Sequence, residues 1–260
     1  GVFANVKLNQ KINELKNIKN IFVFPNMGDG GLAVGGAQLC HFNKTNKTPK
    51  KIENMYLGNQ LLEKNILKSL KKYKVKYYKS RFIEKEIANF LAKGNVVAHF
   101  NGKIEFGPRA LGNRSILCSA DDPSINKSLN KKLKRTEFMP FAPIIMEKYV
   151  SKYLNINKEK DLYKFMTITC RCKSKMIKEA PAAVHIDNTV RPQVVRLKDN
   201  PRIYRILQEY NIITRIPILI NTSFNMHEEP IVYSPEDALR VYLDGKLDYL
   251  IINDFVIKKK

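Results

Sequence analysis

Short apolar runs alternate with amphipathic and polar stretches along the chain, and this order predicts strands that alternate with helices. The runs are rich in Ile, Val and Phe and are bounded by polar residues, Gly or Pro, which is typical of buried strands. The predicted strands are residues 21–24, 96–100, 217–220 and 247–257. Interleaved strands and helices place the chain in the α/β class.

Helices are predicted where apolar residues recur with the helical period. Between Ile83 and Leu91 the apolar residues follow the spacing i, i+4, i+7, i+8, and Gly94 provides a C-terminal stop. A second helix is predicted over residues 200–210. A third begins at Ser234, where a serine cap precedes a proline at the first helical position and an acid at the third.

The first 80 residues are less regular than the rest. Residues 25–31 form a glycine-rich turn, and the small apolar residues 32–39 predict the start of a closely packed helix. The polar residues 43–54 favour a linker. The lysine-rich residues 59–80 show only weak helical periodicity, and the chain contains no internal repeat.

The chain has 260 residues, enough for one or two domains, and 44% of them are hydrophobic, which is sufficient for a core. No apolar run approaches the roughly 18–20 residues of a membrane span. The N-terminal residues lack the pattern of a signal peptide. The four cysteines show neither CxxC pairs nor zinc-site spacing, which favours reduced thiols and a cytoplasmic location.

The chain is strongly basic, with 46 Lys and Arg against 24 Asp and Glu and a net charge of +22. This charge indicates polyanionic partners such as nucleic acid, an anionic membrane or phosphate-bearing substrates. The alternative is a lysine-rich surface without a specific partner. Of the basic residues, 35 are dispersed lysines and 11 are arginines. The arginines are more informative, because a planar guanidinium binds phosphate or carboxylate through two parallel hydrogen bonds.

The loop over residues 101–115 concentrates groups that are suited to binding an anion. It holds Lys103, Arg109 and Arg114, together with three glycines that let the backbone approach an anion closely. Glu105 is predicted to hold one of the arginines in place. The alternative is a surface loop whose charges have no specific role.

Three further loops carry side chains that bind phosphate in other proteins. Their candidate residues are Lys134 and Arg135, then His185, Arg191 and Gln193, and finally Asn221, Ser223 and Asn225. A basic helix end such as residues 131–135 is often only solvated. His185 and Asp187 lack an obvious third metal ligand, so a hydrogen-bonded histidine is the preferred interpretation. The last three residues follow a predicted strand, where hydroxyl and amide groups can meet a ligand.

No catalytic nucleophile stands out. The sequence contains no GxSxG elbow, no Walker loop and no Rossmann fingerprint after a strand. The residues fit better a mechanism in which the protein holds phosphate groups in place and stabilises the reaction with preorganised positive charge.

The stretch Glu105-Phe-Gly-Pro-Arg-Ala-Leu-Gly-Asn-Arg-Ser-Ile-Leu117 resembles a signature of the NodU/CmcH-type carbamoyltransferases. The segments that support this resemblance are residues 140–143, 185–193, 221–225, 230–231 and 235–239. Together they cover residues from about 83 to 257. The resemblance implies the family's YrdC-like domain, whose Thr-Ser-x-Asn signature matches residues 222–225.

The resemblance also implies a domain organisation. A YrdC-like mixed sheet with helices is expected over residues 83–260, preceded by a linker over residues 46–82. Residues 1–45 resemble the end of the family's actin-like (ASKHA) domain. In that domain an aspartate at this turn helps to bind Fe²⁺ or a similar divalent metal, which implies a metal-binding role for Asp29. The histidine ligands of that metal are expected upstream of Gly1.

The activity implied by the resemblance has two steps. The YrdC-like domain condenses ATP, with Mg²⁺, and carbamoyl phosphate to carbamoyl-adenylate. The actin-like domain then passes the carbamoyl group to a hydroxyl of a small molecule or glycoside. The predicted catalytic residues are Lys103, Arg109, Arg114 and Arg191. The predicted substrate-binding residues are Glu105, Asn113, Ser115, Lys134, Arg135, His185, Gln193, Asn221, Ser223 and Asn225.

The chain departs from the family pattern at a few positions. Met139 stands where family members often have Arg, and the stretch Lys134-Arg135 aligns with an ambiguity of one residue. Residues 188–190 replace the more usual Gly-Thr-Ala. Without the upstream half, the chain is expected not to complete carbamoyl transfer alone.

Two other functions are open at this point. One is a threonylcarbamoyl-adenylate synthase, which uses bicarbonate and threonine, and the other is a basic RNA-binding YrdC-like module. The signature over residues 105–117 argues against the first. Dispersed lysines and the lack of an RNP-like strand argue against the second. We therefore expect small-molecule substrates, no membrane partner and no nucleic acid, with a homo-oligomer as a further possibility.

Overall fold

A computed structural model describes residues 1–50, 52–135, 141–156 and 160–258. Met139 and Pro140, which entered the family resemblance, lie outside these ranges. The α-helices are α1 (Val6–Glu14), α2 (Asp29–Thr45), α3 (Glu63–Lys72), α4 (Ile83–Ala92), α5 (Ser124–Lys132), α6 (Val150–Tyr153), α7 (Ser174–Glu179), α8 (Pro201–Thr214) and α9 (Pro235–Asp244). The strands are β1 (Tyr77–Lys79), β2 (Val97–Phe100), β3 (Arg114–Cys118), β4 (Ala142–Met146), β5 (Leu154–Asn155), β6 (Cys170–Cys172), β7 (Thr189–Val190), β8 (Gln193–Val195), β9 (Ile218–Ser223), β10 (Tyr249–Ile252) and β11 (Phe255–Lys258).

Eight of these strands form one mixed sheet in the order β1-β11-β10-β2-β3-β9-β4-β8. The pairs β10–β2 and β4–β8 are parallel, and the other neighbours are antiparallel. A second, antiparallel sheet has the order β5-β6-β7. The predicted α/β fold with a mixed sheet is therefore confirmed.

Helices cover both faces of the large sheet, because successive side chains of a strand point to opposite faces. In β2, Ala98 and Phe100 join one apolar cluster, whereas Val97 joins the other. The first cluster is covered by α3, α5 and α9, and the second by α4 and α8. The sheet is thus buried on both faces, so a polar site is expected in the loops at the ends of the strands rather than on a face of the sheet.

Most of the predicted elements are confirmed. Residues 96–100 and 217–220 correspond to β2 and β9, and the three predicted helices are α4, α8 and α9. Gly94 has a φ of +77°, which is the left-handed geometry expected of a helix stop. Ser234 and Asp237 form the reciprocal hydrogen bonds of a capping box.

Two strand predictions are wrong. Residues 21–24 contain no strand, and Phe22 is 64% exposed, because an apolar run without a neighbouring strand has no ladder to join. Residues 247–257 form two antiparallel strands, β10 and β11, rather than one. Asn253 has a φ of +53° in the turn between them, a conformation that asparagine tolerates better than most residues.

The predicted linker over residues 46–82 contains regular structure that belongs to the main body of the fold. The α3 residues Ile66 and Leu70 are fully buried in the first apolar cluster. Strand β1 pairs with β11 at the edge of the large sheet. The limits 1–45, 46–82 and 83–260 stay predictions as domain boundaries, but the middle segment is not a simple connection.

The helix expected after the glycine-rich turn is present as α2, but it is not closely packed. None of its residues is buried, and Leu32 is 74% exposed. Within the described ranges, no helix, including α2, is long and apolar enough to cross a membrane.

Candidate functional site

Three arginines from separate segments of the chain line one cavity of about 290 Å³. Arg109 lies in the loop before β3, Arg135 follows α5, and Arg191 lies between β7 and β8. Residues 221–223 at the end of β9, and Asn225 after it, also line the cavity. The sequence separates these segments widely, so the topology of the sheet is what brings them together.

Within the described ranges, no carboxylate forms an ion pair with these three arginines. Burial, and secondarily repulsion by Arg109, lowers the pKa of Arg191 to about 9. Burial also lowers the pKa of Arg109 and of Arg135. Glu228 and Glu229 both line the same cavity, and the Glu229 carboxylate accepts two hydrogen bonds from Arg240, at 2.9 and 2.6 Å. The cavity is therefore complementary to an anion with several negative charges.

Arg135 is held against the end of β9. Its Nη1 donates to Thr222 Oγ1 over 3.1 Å, and its Nη2 donates to Ser223 Oγ over 3.4 Å. The guanidinium also lies 5.6 Å from the centre of the Phe141 ring. Ser223 Oγ in turn donates to Asn225 Oδ1 over 2.7 Å. These contacts fix the side chain and leave other N–H groups of the guanidinium available for a ligand.

Asn221 and Gln193 connect the cavity to the loop over residues 101–113. Asn221 Nδ2 donates to the carbonyl of Ala110 over 3.1 Å and to Gln193 Oε1 over 2.7 Å. Gln193 Nε2 donates to the carbonyl of Leu111 over 2.7 Å. Gln193 is not among the residues that line the cavity, so it supports the wall from behind.

Glu105 organises the same loop through its backbone. One carboxylate oxygen accepts the N–H groups of Leu111, Asn113 and Arg114 at 2.8, 2.7 and 3.1 Å. The prediction that Glu105 holds an arginine side chain is therefore corrected, because its hydrogen bond to Arg114 is to the main chain. Burial raises the pKa of Glu105.

Arg114 lies inside the loop and is 1% exposed. Its Nη1 donates to the carbonyls of Asn101 and Asn113, both over 2.9 Å, and its Nη2 donates to the carbonyl of Gly102 over 3.2 Å. The guanidinium also stacks 3.5 Å from the centre of the Phe100 ring. Arg114 does not line the cavity, so its catalytic role stays a prediction while its contacts stabilise the loop.

Asn113 and Ser115 also belong to this supporting framework. Asn113 Nδ2 donates to the carbonyl of Lys103 over 2.8 Å, and its Oδ1 accepts from Asn200 over 3.1 Å. Ser115 Oγ accepts the N–H of Gly112 over 2.9 Å. Both side chains are buried, and neither lines the arginine cavity.

Three predicted site residues lie away from the cavity. Lys103 is exposed and lines a separate depression of about 350 Å³ beside the start of α8. Lys134 is exposed, with a φ of +56°. His185 Nδ1 lies 3.2 Å from Thr189 Oγ1, which agrees with a hydrogen-bonded histidine, and burial lowers its pKa with a further contribution from Arg191.

The described residues do not by themselves fit a divalent metal site. Asp29 is the exposed first residue of α2. No group of three His, Cys, Asp or Glu side chains within the described ranges is arranged to hold a metal ion. Asp187 forms an ion pair with Lys7 instead. The metal-binding role of Asp29 therefore stays a prediction.

Sequence reasoning missed several residues of the site. Thr222 and Phe141 lay inside motifs that were noted, but nothing in the sequence showed that both contact Arg135. Met166 lines the cavity, and no motif marked it. Tyr56, from the predicted linker, donates to the carbonyl of Leu111 over 2.8 Å, a contact that only the tertiary fold creates.

The chain belongs to the carbamoyltransferase family, because the family model described as "Carbamoyltransferase C-terminus" matches residues 88–259. It is 39% identical to the uncharacterized protein MJ1058 of Methanocaldococcus jannaschii, over 100% of this chain and 44% of that protein. It is 32% identical to the nodulation protein NolO of Bradyrhizobium diazoefficiens, over 100% of this chain and 48% of that protein. The chain thus spans about half the length of these relatives.

Among solved structures, the chain is similar to full-length HypF in its phosphate- and nucleotide-bound form. That match has a TM-score of 0.49 and 21% identity, and covers 68% of this chain and 25% of HypF.

Proposed function

We propose that the arginine cavity binds ATP and carbamoyl phosphate and forms carbamoyl-adenylate. The observation that carries the proposal is the meeting of Arg109, Arg135 and Arg191 in one cavity, where no carboxylate of the described part of the chain pairs with them. The chain's membership of the carbamoyltransferase family also supports the proposal. The proposed reaction must bring together two polyanions, ATP and carbamoyl phosphate, and a positively charged cavity is suited to that.

The balanced reaction consumes one water. Carbamoyl phosphate, ATP and water give carbamoyl-adenylate, pyrophosphate and inorganic phosphate. The oxygen of water forms a bond to the phosphorus of carbamoyl phosphate, the bond from that phosphorus to the carbamoyl oxygen breaks, and inorganic phosphate and carbamate result. An oxygen of the carbamate then forms a bond to the α-phosphorus of ATP. The bond between that phosphorus and the oxygen that links it to the β-phosphorus breaks, and this oxygen leaves with the electron pair as part of pyrophosphate.

The chain's own residues contribute positive charge and orientation. Two phosphorylated substrates repel each other, and each charge-assisted hydrogen bond from a guanidinium contributes about 1.5–3 kcal/mol toward offsetting that repulsion. Arg135 is already fixed by Thr222 and Ser223, so it needs little reorganisation when a phosphate binds. Mg²⁺ accompanies ATP in this proposal, and no step is assigned to a metal ligand of the chain.

The transfer step belongs to the longer protein in this proposal. Because the chain spans about half the length of its relatives, the remaining part is where we place transfer of the carbamoyl group to a hydroxyl of a small molecule or glycoside. The chain alone is then expected to release pyrophosphate without carbamoylating an acceptor.

The experiment measures pyrophosphate and phosphate release by the purified chain with ATP and carbamoyl phosphate. Release that depends on carbamoyl phosphate, and that falls at least about 100-fold in Arg191→Ala, supports the proposal. Arg81→Ala is the matched control, because Arg81 is exposed and does not line the cavity. A folded chain that releases no pyrophosphate contradicts the proposal. Release with bicarbonate and threonine instead would indicate a threonylcarbamoyl-adenylate synthase.

A further inference from the structure

The amide of Asn221 has a defined orientation in the arginine cavity. A backbone carbonyl can only accept a hydrogen bond, so the atom 3.1 Å from the carbonyl of Ala110 must be the nitrogen of Asn221. The same argument orients Gln193, whose nitrogen lies 2.7 Å from the carbonyl of Leu111. Its oxygen therefore faces Asn221 Nδ2 at 2.7 Å. Both donors of Asn221 are thus occupied by the protein.

The oxygen of the same amide accepts no hydrogen bond within the described part of the chain. Asn221 is 2% exposed and lines the cavity, and its Oδ1 is buried without a hydrogen bond to any described residue. An unpaired buried acceptor costs about 1–3 kcal/mol, and a ligand that donates a hydrogen bond to it recovers that cost. A fully ionised phosphate offers only acceptors, so the arginines and Asn221 require different parts of a ligand.

Arg109 supplies a complementary group on the neighbouring part of the wall. Its Nε is also buried without a partner among the residues that the structure describes, and Asn221 Nδ2 donates to the carbonyl of the next residue, Ala110. A carbamoyl group carries a carbonyl acceptor and an N–H donor on one carbon atom, and the cavity that Arg109 and Asn221 both line has an unpaired donor and an unpaired acceptor to receive them. In carbamoyl phosphate this carbon is joined to phosphorus through a single oxygen, so the phosphate remains beside the guanidiniums.

The adenine amino group of ATP is the other donor available among the proposed substrates. It is separated from the phosphates by the ribose, whereas Asn221 shares a cavity of about 290 Å³ with all three arginines. The short distance between donor and phosphate in carbamoyl phosphate fits this arrangement better.

We propose that Asn221 determines substrate specificity by accepting a hydrogen bond from the NH₂ group of carbamoyl phosphate. This inference rests on the proposed function. It makes Asn221 the residue that distinguishes a carbamoyl group from an acyl group of the same shape, because an acetyl group has a methyl in place of NH₂ and leaves Oδ1 unpaired.

The experiment compares the dissociation constants of carbamoyl phosphate and acetyl phosphate for the full chain by calorimetry. The wild-type chain is expected to bind carbamoyl phosphate at least about tenfold more tightly, which corresponds to one hydrogen bond. Asn221→Ala is expected to bring the ratio of the two constants close to one. If Asn221 is only structural, Asn221→Ala would weaken the binding of both ligands equally and leave the ratio of the two dissociation constants unchanged.

Gln193→Ala is the matched control, because it removes the same hydrogen bond between Gln193 and Asn221 but keeps Oδ1. Its ratio is expected to stay near the wild-type value even if both affinities fall. Should Asn221→Ala fail to fold, ¹⁵N-labelled carbamoyl phosphate bound to the wild-type chain provides the test. A nuclear Overhauser effect between its NH₂ protons and the Asn221 side chain supports the contact, and its absence at saturation overturns the inference.

The outcomes separate this inference from the proposed function. Equal binding of carbamoyl and acetyl phosphate by the wild-type chain overturns the role of Asn221 but leaves the anion site intact. Binding of neither ligand contradicts the proposed function itself. If Asn221→Ala weakens AMP binding and leaves the carbamoyl-to-acetyl ratio unchanged, Asn221 recognises the nucleotide and the inference is wrong.

Discussion

Arg114 and Arg191 both have pKa values lowered by burial, yet we expect their replacement by methionine to change the stability in opposite directions. Methionine keeps most of the side-chain volume and removes the charge and the donors. Arg114 donates to three backbone carbonyls, whereas Arg191 is repelled by Arg109 and forms no ion pair with a carboxylate that the structure describes. The two variants therefore compare an arginine that supports the loop with one that lines the cavity.

The expected loss for Arg114→Met follows from its contacts. Three carbonyls lose a charged donor, and hydrogen bonds to charged groups contribute about 1.5–3 kcal/mol each. Part of this lost stability is offset, because Arg114→Met also removes the cost of desolvating a buried charge. We expect the free energy of unfolding to fall by about 3–5 kcal/mol.

The expected gain for Arg191→Met follows from its electrostatics. A pKa of about 9 sets an upper bound of about 5 kcal/mol on the cost of keeping this guanidinium charged, at about 1.4 kcal/mol per tenfold change in acidity. Arg191 is only partly buried, so solvent screens much of that cost. We expect Arg191→Met to be more stable than the wild type by about 1–2 kcal/mol and to lose phosphate binding.

Urea unfolding followed by circular dichroism measures both effects. The transition midpoint should fall for Arg114→Met and rise for Arg191→Met, with the slope unchanged in each variant. If Arg191→Met is destabilised as much as Arg114→Met, the conclusion that Arg191 lacks a compensating partner is wrong.

Three further predictions concern the framework around the site. Burial lowers the pKa of His99 to about 3 from an ordinary value of 6.5. The contribution of the neutral His99 to the free energy of unfolding is therefore complete above pH 6.5 and is lost as the pH falls toward 3. At pH 5 the free energy of unfolding is lower by about 2 kcal/mol for this reason, and His99→Gln should not show this decrease when its unfolding is measured against pH. If the wild type and His99→Gln depend equally on pH, His99 is not the residue responsible. Gly112→Ala should cost about 1–3 kcal/mol in thermal unfolding, because Gly112 has a φ of +111° and a Cβ would lie 2.7 Å from Ile203, whereas Gly35→Ala, with open space around it, should not destabilise. Ile66→Ala should cost about 2–5 kcal/mol in urea unfolding, and a neutral effect would show that α3 is not part of the core.

Local patterns in the sequence were sufficient to predict the elements that are determined by residues close together in the chain. The helical spacing from Ile83 to Leu91 and the cap at Ser234 depend on residues that are near in sequence, and both are confirmed. Residues 21–24 have the composition of a strand but lack a neighbouring strand, and strand pairing is a long-range property.

The candidate site shows the same limit. Arg109 and Arg114 are five positions apart in one glycine-rich loop, and composition gives no reason to treat them differently. Only the fold shows that Arg114 turns inward to the carbonyls of its own loop, while Arg109 lines the cavity with Arg191. Asn221, Ser223 and Asn225 were found because they follow a strand, and their meeting with Arg135 required the sheet order.

The buried carboxylate of Glu105 has a consequence for how anions are sorted on this protein. Three converging backbone N–H groups form an arrangement that binds phosphate in many proteins, and here one oxygen of Glu105 already occupies it. Because these N–H groups already donate to Glu105, a phosphate group could bind them only by displacing its carboxylate. Under the proposed function, anionic substrates would then bind at the arginine cavity rather than at these N–H groups, and the buried Glu105 carboxylate would contribute to that selectivity.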